Sequence, residues 1–241
     1  MKCQNTRQKY FSYLQKLAAN ALLIFAICIT SFYNQSFAQT AEKEKSQWAV
    51  VADSIYDNEV FFTIPKSWPK TPAHKKNENG FYIAEFIPAG QSVEKWSEML
   101  TVVSYKKIQQ NPKQYFSNTY KMTQEICGAN TAGSILKEGK DFIIGILMCG
   151  KLSDSASNFG GLKKDQGEMA LYKIYKVGNS IYSVFYSWRG KSYDVLSKND
   201  DDFPATMKVV KNYITTSGPV GICNKINPTK ECSEIMKAMN R

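Results

Sequence analysis

Short bursts of apolar residues, mostly alternating with polar ones, run along the chain and are punctuated by single Pro, Gly or Asn positions. Glu59 to Ile64 (EVFFTI) is the first strand that this pattern predicts. It stops at Pro65, which has no N–H to give to a ladder. Lys66 to Lys70 reads as a turn and Thr71 to Asn79 as a lysine-rich loop. Phe81 to Ile87 is aromatic and β-branched, a second strand closed by Pro88-Ala89-Gly90. Ser92 is placed to cap a short helical turn, with Glu94 at its positive end and Val93 and Trp96 on one face. Met99 to Tyr105 then reads as a third strand, with Leu100 and Val102 on one side and Met99, Thr101 and Val103 on the other.

Asn111-Pro112 is a helix start, Asn as N-cap and Pro at the first helical position. Phe116, Thr119, Tyr120, Thr123 and Cys127 recur at spacings of three and four, so the helix turns one face inward and ends at Gly128. Ser134 to Lys140 and Phe142 to Cys149 form a predicted hairpin around Gly139. The near-continuous apolar run from Phe142 to Met148 belongs in a sheet covered on both faces. Ser153 to Gly167 reads as a loop. A second hairpin pairs Glu168–Tyr175 with Ser180–Trp188 about Gly178-Asn179. A second helix opens at Phe203-Pro204 behind Asp201 and Asp202, with Phe203, Met207, Val210 and Ile214 as its stripe. A short helix is expected around Ser233 to Met239. Strands broken by single helices imply an α+β domain: an antiparallel sheet with helices against it.

The first 38 residues change the picture. They carry Lys2, Arg7, Lys9 and Lys16 and no acid, then an apolar run from Leu17 to Ile29, then Ser36-Phe37-Ala38. A basic start, a short apolar core and a small-x-small site are the marks of a secretory signal peptide cleaved after Ala38. The run is short of the about 20 apolar residues that a membrane span needs. Ile27 before Cys28 does not suit lipidation. The expected organisation is a signal peptide over 1–38, a flexible leader over 39–50, one α+β domain over 51–217 and a tail over 218–241. After cleavage no membrane span is expected, and the location is the periplasm or beyond it.

Four cysteines follow the cleavage site: Cys127, Cys149, Cys223 and Cys232. An even number in an exported chain suggests two disulfides, and the local pairings Cys127–Cys149 and Cys223–Cys232 are favoured. Zinc is not suggested: there is no C-x-x-C, and His74 is the only histidine. The charge of +10 falls once the four basic residues of the leader go. What remains suits solubility or contact with an anionic surface, and no dense Lys/Arg run points to nucleic acid.

Chemistry is sparse. G-x-S-x-G is missing, Gly160-Gly161 lacks phosphate-loop spacing, and Asp200-Asp201-Asp202 lacks the rest of a calcium loop. No cofactor or metal is expected. The open enzymatic route is a carboxylate pair: Glu98 with Glu85 or Glu94 beside Trp96, as a glycan hydrolase would use. The capping role explains Glu94 more simply. Alternation puts Tyr182, Val184, Tyr186 and Trp188 on one face, to be read either as core or as an exposed aromatic surface for a partner.

The order of elements, with the early Ile64-Pro65-Lys66-x-Trp68 and a last amphipathic helix, resembles the PsbP-like α/β/α sandwich of extrinsic photosystem subunits and nuclear-transport cofactors. The likeness spans roughly residues 50 to 217. Ile87-Pro88-Ala89-Gly90-Gln91 with Trp96, Glu98, Met99 and Thr101 is also similar to a signature of uncharacterised exported proteins of Gram-negative bacteria, of the Legionella kind. The resemblance implies a central antiparallel sheet sandwiched by helices and a protein partner, and it admits a secreted, virulence-associated role. It carries no catalytic residue. The sequence therefore favours an exported binding protein over an enzyme, with Trp96, Tyr182, Tyr186 and Trp188 as binding candidates.

Overall fold

The computed structural model describes residues 47–156, 160–230 and 232–233. The expected signal peptide, residues 39–46 of the leader and most of the C-terminal helix lie outside the described residues. Among the described residues ten strands form two antiparallel sheets. The large one takes β3 (His74–Glu78), β4 (Phe81–Phe86), β5 (Glu98–Tyr105), β6 (Thr131–Glu138), β7 (Phe142–Cys149), β8 (Gln166–Val177) and β9 (Ser180–Lys191). Their spatial order is β3-β4-β5-β9-β8-β7-β6. The small sheet places β2 (Asn58–Pro65) between β1 (Trp48–Ile55) and β10 (Gly221–Asn224). Helix α1 runs over Pro112–Cys127 and helix α2 over Met207–Thr216.

β9 lies at the centre of the large sheet, and its alternation divides the molecule. Tyr182, Val184, Tyr186 and Trp188 join Met169, Leu171, Leu100, Val102, Tyr82, Ala84 and Phe86 in the main core. The small sheet closes that core with Ile55, Val60, Phe62 and Ile64, and α2 adds Val210 and Tyr213. The opposite face, at its β6–β8 end, is covered by α1, whose Phe116 packs with Ile143, Leu147, Ile174 and Ile181. The antiparallel α+β class is as expected. One cover is not: a three-stranded sheet together with a helix lies where helices alone were expected. Residues 48–50, read as the end of the leader, lie in β1, and Gly221–Asn224, read as tail, form β10, so both stretches are part of the small sheet.

Helix α1 starts as the sequence predicts. Asn111 accepts from the N–H of Gln114, and the Gln114 side chain accepts from the N–H of Asn111. The helix sits close to the sheet because the strands beneath it lack side chains at two points. A Cβ at Gly145 would stand 2.8 Å from the Phe116 ring, and one at Gly133 2.9 Å from the Tyr120 ring. The Cys127–Cys149 disulfide then pins the end of α1 to β7. The second, Cys223–Cys232, closes the chain beyond β10. Both match the favoured pairings and suit an extracellular or periplasmic location. No helix among the described residues is long and apolar enough to cross a membrane.

Helix α2 begins later than predicted. Asp200 to Asp202 form a 3-10 turn, and Thr206 is the N-cap, accepting from Val209. The Asp200 carboxylate receives the Met207 N–H at 2.8 Å. Of the predicted stripe Met207 is exposed and Val210 is buried, and the other buried residue of the helix is Tyr213, which the stripe did not include. The other end of α2 is held by Lys173, 4% exposed on β8. Its ammonium donates to Ser217 Oγ at 2.9 Å and to the Gly218 carbonyl at 2.7 Å, over the Tyr213 ring. Thr63 on β2 donates to the Ser217 carbonyl, so both sheets hold the same helix end.

Two outcomes follow from this packing. Gly145→Ala should lower stability by about 1–3 kcal/mol, read by urea unfolding, because the helix must rise or Phe116 must leave its rotamer. Burial lowers the pKa of Lys173 to about 8. An unfolded lysine holds its proton to about 10.4. Between these values the unfolded chain binds more protons, so stability should rise with pH from about 8 to 10, on the order of 2 kcal/mol. Lys173→Met should flatten that rise in unfolding experiments across the same pH range. An unchanged pH slope would show that Lys173 is not its source.

Candidate functional site

The stretch from Ile87 to Ser97 joins β4 to β5 and folds as a closed loop. Ser92 and Lys95 bridge each other around Val93-Glu94, a tight turn where a helical turn was expected. Gln91 Oε1 accepts the Ser97 N–H at 2.8 Å and shuts the loop. Ile87, Trp96 and Met99 bury together, with Val93 packed on them. Trp96 lies flat against Arg189, whose guanidinium carbon is 3.8 Å from the ring centroid. Arg189 is itself buried and bound to Glu168 at 2.7 Å and to the Gly160 carbonyl at 2.9 Å. One guanidinium therefore joins β9, β8, the Gly160 loop and the Trp96 loop.

The carboxylates named for chemistry are not brought together. Glu98 lies opposite Trp188 and shares the core face, where the Tyr186 hydroxyl donates to it. Burial first, and then Glu98 itself, push the Tyr186 hydroxyl well above the usual tyrosine range. Glu85 lies opposite Thr101 and therefore faces the other side of the large sheet. Glu94 is at the exposed tip of the turn, and a hydrogen bond with Ser92 holds its carboxyl below the usual range. The aromatic binding candidates are corrected as well. Trp96, Tyr182, Tyr186 and Trp188 are 8%, 0%, 2% and 5% exposed. Trp68 stacks on Tyr186, and Trp48, Trp188 and Tyr213 pack around the same ring. Tyr182, Tyr186 and Trp188 are core because the small sheet and α2 cover them, and Trp96 is buried against Ile87, Met99 and Arg189.

The face that α1 leaves less covered collects the unused polar groups. Glu85, Thr101, Phe185 and Tyr172 form one row across β4, β5, β9 and β8. Phe185 and Tyr172 are partly exposed and stack at 4.6 Å. Phe81 and Tyr105 pack at 5.1 Å two rows away, and Tyr105 meets Tyr115 of α1 at 6.1 Å. Partly exposed Ile83 lies between. On either side of Phe185, Ser183 and Ser187 are 0% and 1% exposed, and neither hydroxyl has a hydrogen-bond partner. Glu85 is half-buried, and among the described residues nothing donates a hydrogen bond to it or pairs with it. Burial raises its pKa, His74 and Arg189 draw it down in part, and Glu168 raises it further. His74 is exposed on edge strand β3, directly across from Glu85.

Two concavities lie elsewhere on the chain. One of about 510 Å³ is lined by Gly90, Gln91, Ser92, Lys95, Trp96, Ser97 and Gln166. The other, about 560 Å³, lies by Tyr193, Asp194, Asp201, Asp202 and Phe203. Neither includes a half-buried titratable group without a partner. No three His, Cys, Asp or Glu side chains among the described residues cluster as a metal site would need.

Sequence reading missed Arg189 and Glu168, although a signal was present. Counting outward from the Gly178-Asn179 turn sets Glu168 opposite Arg189 in the β8–β9 hairpin.

No family model matches the chain, and no curated protein matches it. Among solved structures, a point variant of the protein Mog1 is similar at 9% identity and a TM-score of 0.41, over 70% of this chain and 93% of that one. The Ran-binding protein Mog1p of Saccharomyces cerevisiae is similar at 7% identity and 0.41, over 74% and 96%. A likeness this loose assigns neither family nor function to this chain.

A half-buried carboxylate without a partner is a cost to the fold. Glu85 binds a proton more tightly in the folded chain than in the unfolded one, so stability falls as pH rises through its titration. Glu85→Gln should therefore raise the melting temperature at pH 7. The gain should vanish near pH 4, where the native carboxyl is protonated. Scanning calorimetry of both proteins at the two pH values checks this.

Proposed function

We propose that this is an exported binding protein that takes a protein partner on the α1 side of its large sheet, over β4, β5 and β9. The observation that carries the reading is the contrast between the two faces. The core face is closed by a second sheet and a helix, whereas the other presents partly exposed Phe81, Ile83, Tyr105, Phe185 and Tyr172 beside Glu85, a half-buried carboxylate with no hydrogen bond or ion pair among the described residues. Aromatic side chains gathered near unsatisfied polar groups are what a recognition surface needs, because burial then gains both area and hydrogen bonds. The two disulfides and the secretory pattern of residues 1–38 support export, to the periplasm or beyond. The PsbP-like resemblance and the Gram-negative signature around Trp96 agree with this reading.

Hydrolysis through Glu98 receives no support from the geometry. Its carboxylate takes the Tyr186 hydroxyl on the core face, and Glu85 faces the other way. The test is photo-crosslinking in cells that export the protein. A photoreactive residue at Ile83 should capture a specific protein, and the same residue at Val50, exposed on β1, should not. Mass spectrometry of the captured chain should find Gln39 at its N-terminus. Identical capture from both positions, or an uncleaved chain retained in the cytoplasm, would defeat the reading.

A further inference from the structure

Glu85 adds a chemical requirement to that face. It is the acid at the end of the Glu85–Thr101–Phe185–Tyr172 row, and it lies on an interior strand rather than at an edge. The other acids that the described strands place on this face are matched: Glu168 by Arg189 at 2.7 Å, Glu138 by Lys113 at 3.1 Å and Glu78 by Lys76 at 3.0 Å. Arg189 is fully engaged: it also binds the Gly160 carbonyl and lies against Trp96. His74, across the ladder, is exposed to solvent. The chain as a whole is strongly basic, with 31 Lys and Arg against 21 Asp and Glu, yet none of these cations pairs with Glu85 among the described residues. A cation supplied from outside would complete the site. Adjacent strands lie about 4.8 Å apart, so Glu85 and Phe185 are separated by roughly 10 Å of backbone with Thr101 between them. That span suits a long aliphatic stem that ends in a charge. The head reaches the carboxylate, and the methylenes cover Thr101 and the Phe185–Tyr172 stack.

Resting on the binding reading above, we propose that the partner docks a basic segment on this face, with one lysine or arginine side chain received by Glu85 and its stem lying on Phe185. Ser183 and Ser187, on either side of Phe185, are fully buried and leave unpaired hydroxyls beneath the same floor.

The test uses the full exported chain, 15N-labelled, and three blocked heptapeptides with a single central lysine, acetyl-lysine or norleucine. The lysine peptide should shift amide signals in β4, β5 and β9 and bind at least tenfold more tightly than the other two. Glu85→Gln should remove that preference, whereas Glu59→Gln on the small sheet should leave it intact. Equal binding of all three peptides would overturn cation recognition while leaving a binding face. Shifts confined to other surfaces would overturn the proposal too. If photo-capture at Ile83 persisted in that case, the face would still bind a partner, but through different chemistry. If capture were also lost, the reading of the face would fall with the proposal.

Discussion

Strand β9 sets the constraint on which the rest depends. It is paired on both sides, and from Ile181 to Arg189 every residue except Phe185 is buried. A strand so placed must send alternate side chains into two different environments. Its even-numbered residues are large and apolar and hold the main core. Between Ile181 and Arg189, its odd-numbered residues are two serines and one partly exposed phenylalanine. The neighbouring strands follow suit through their registers. That is why Glu98 ends against a tyrosine of the core while Glu85, thirteen residues earlier, stands on the other side. A pair that looks close in sequence is divided by the thickness of the sheet.

The two faces are also held differently. The core face is joined by apolar area and a ring cluster, with polar ties at its margins: Trp48 to Thr216, Tyr82 to Asp53, and Lys173 to the end of α2. The opposite face relies on localised fixings. Phe116 settles on Gly145, the Cys127–Cys149 bond fastens the far end of α1, and Arg189 holds two loops to the sheet. Each loop closed by a disulfide restricts the unfolded chain and is worth roughly 2–4 kcal/mol. Covalent fixing of this kind lets a face stay less apolar than a second core would require.

What could be read from the sequence depended on how each element was joined. Helix α1 carried its own start signals at Asn111, Pro112 and Gln114, and the inward spacing led to a cysteine that does bond to β7. The β8–β9 hairpin has a short turn, so its pairing could be counted and Arg189 found. Between β4 and β5 stand eleven residues, long enough to hide whether Glu85 and Glu98 share a face. Edge strand β3 has the composition of a loop because each of its five residues is exposed, and lysines are the usual guard of a free edge. β1 and β10 were missed for another reason. Each is stabilised by β2, which lies between them, and a strand that borrows its order from a distant neighbour leaves little local pattern.

The remaining question is why a fold would retain Glu85 in its present place. An interior strand position flanked by Thr101 and Ile83 would accept a threonine or valine at no cost, since both suit a half-covered sheet. A carboxylate there loses water and gains no hydrogen bond among the described residues; burial raises its pKa, His74 and Arg189 lower it only in part, and Glu168 raises it further. Arg189 is committed to Glu168 and Trp96, and His74, directly opposite Glu85 on the exposed edge strand, makes no ion pair with it. Local destabilisation maintained inside a well-packed sheet is characteristic of a site whose balance is completed by something else. The arrangement makes physical sense if the missing counter-charge arrives with a partner, because the desolvation of Glu85 is already spent before binding and the incoming cation meets a carboxylate that water no longer fully screens.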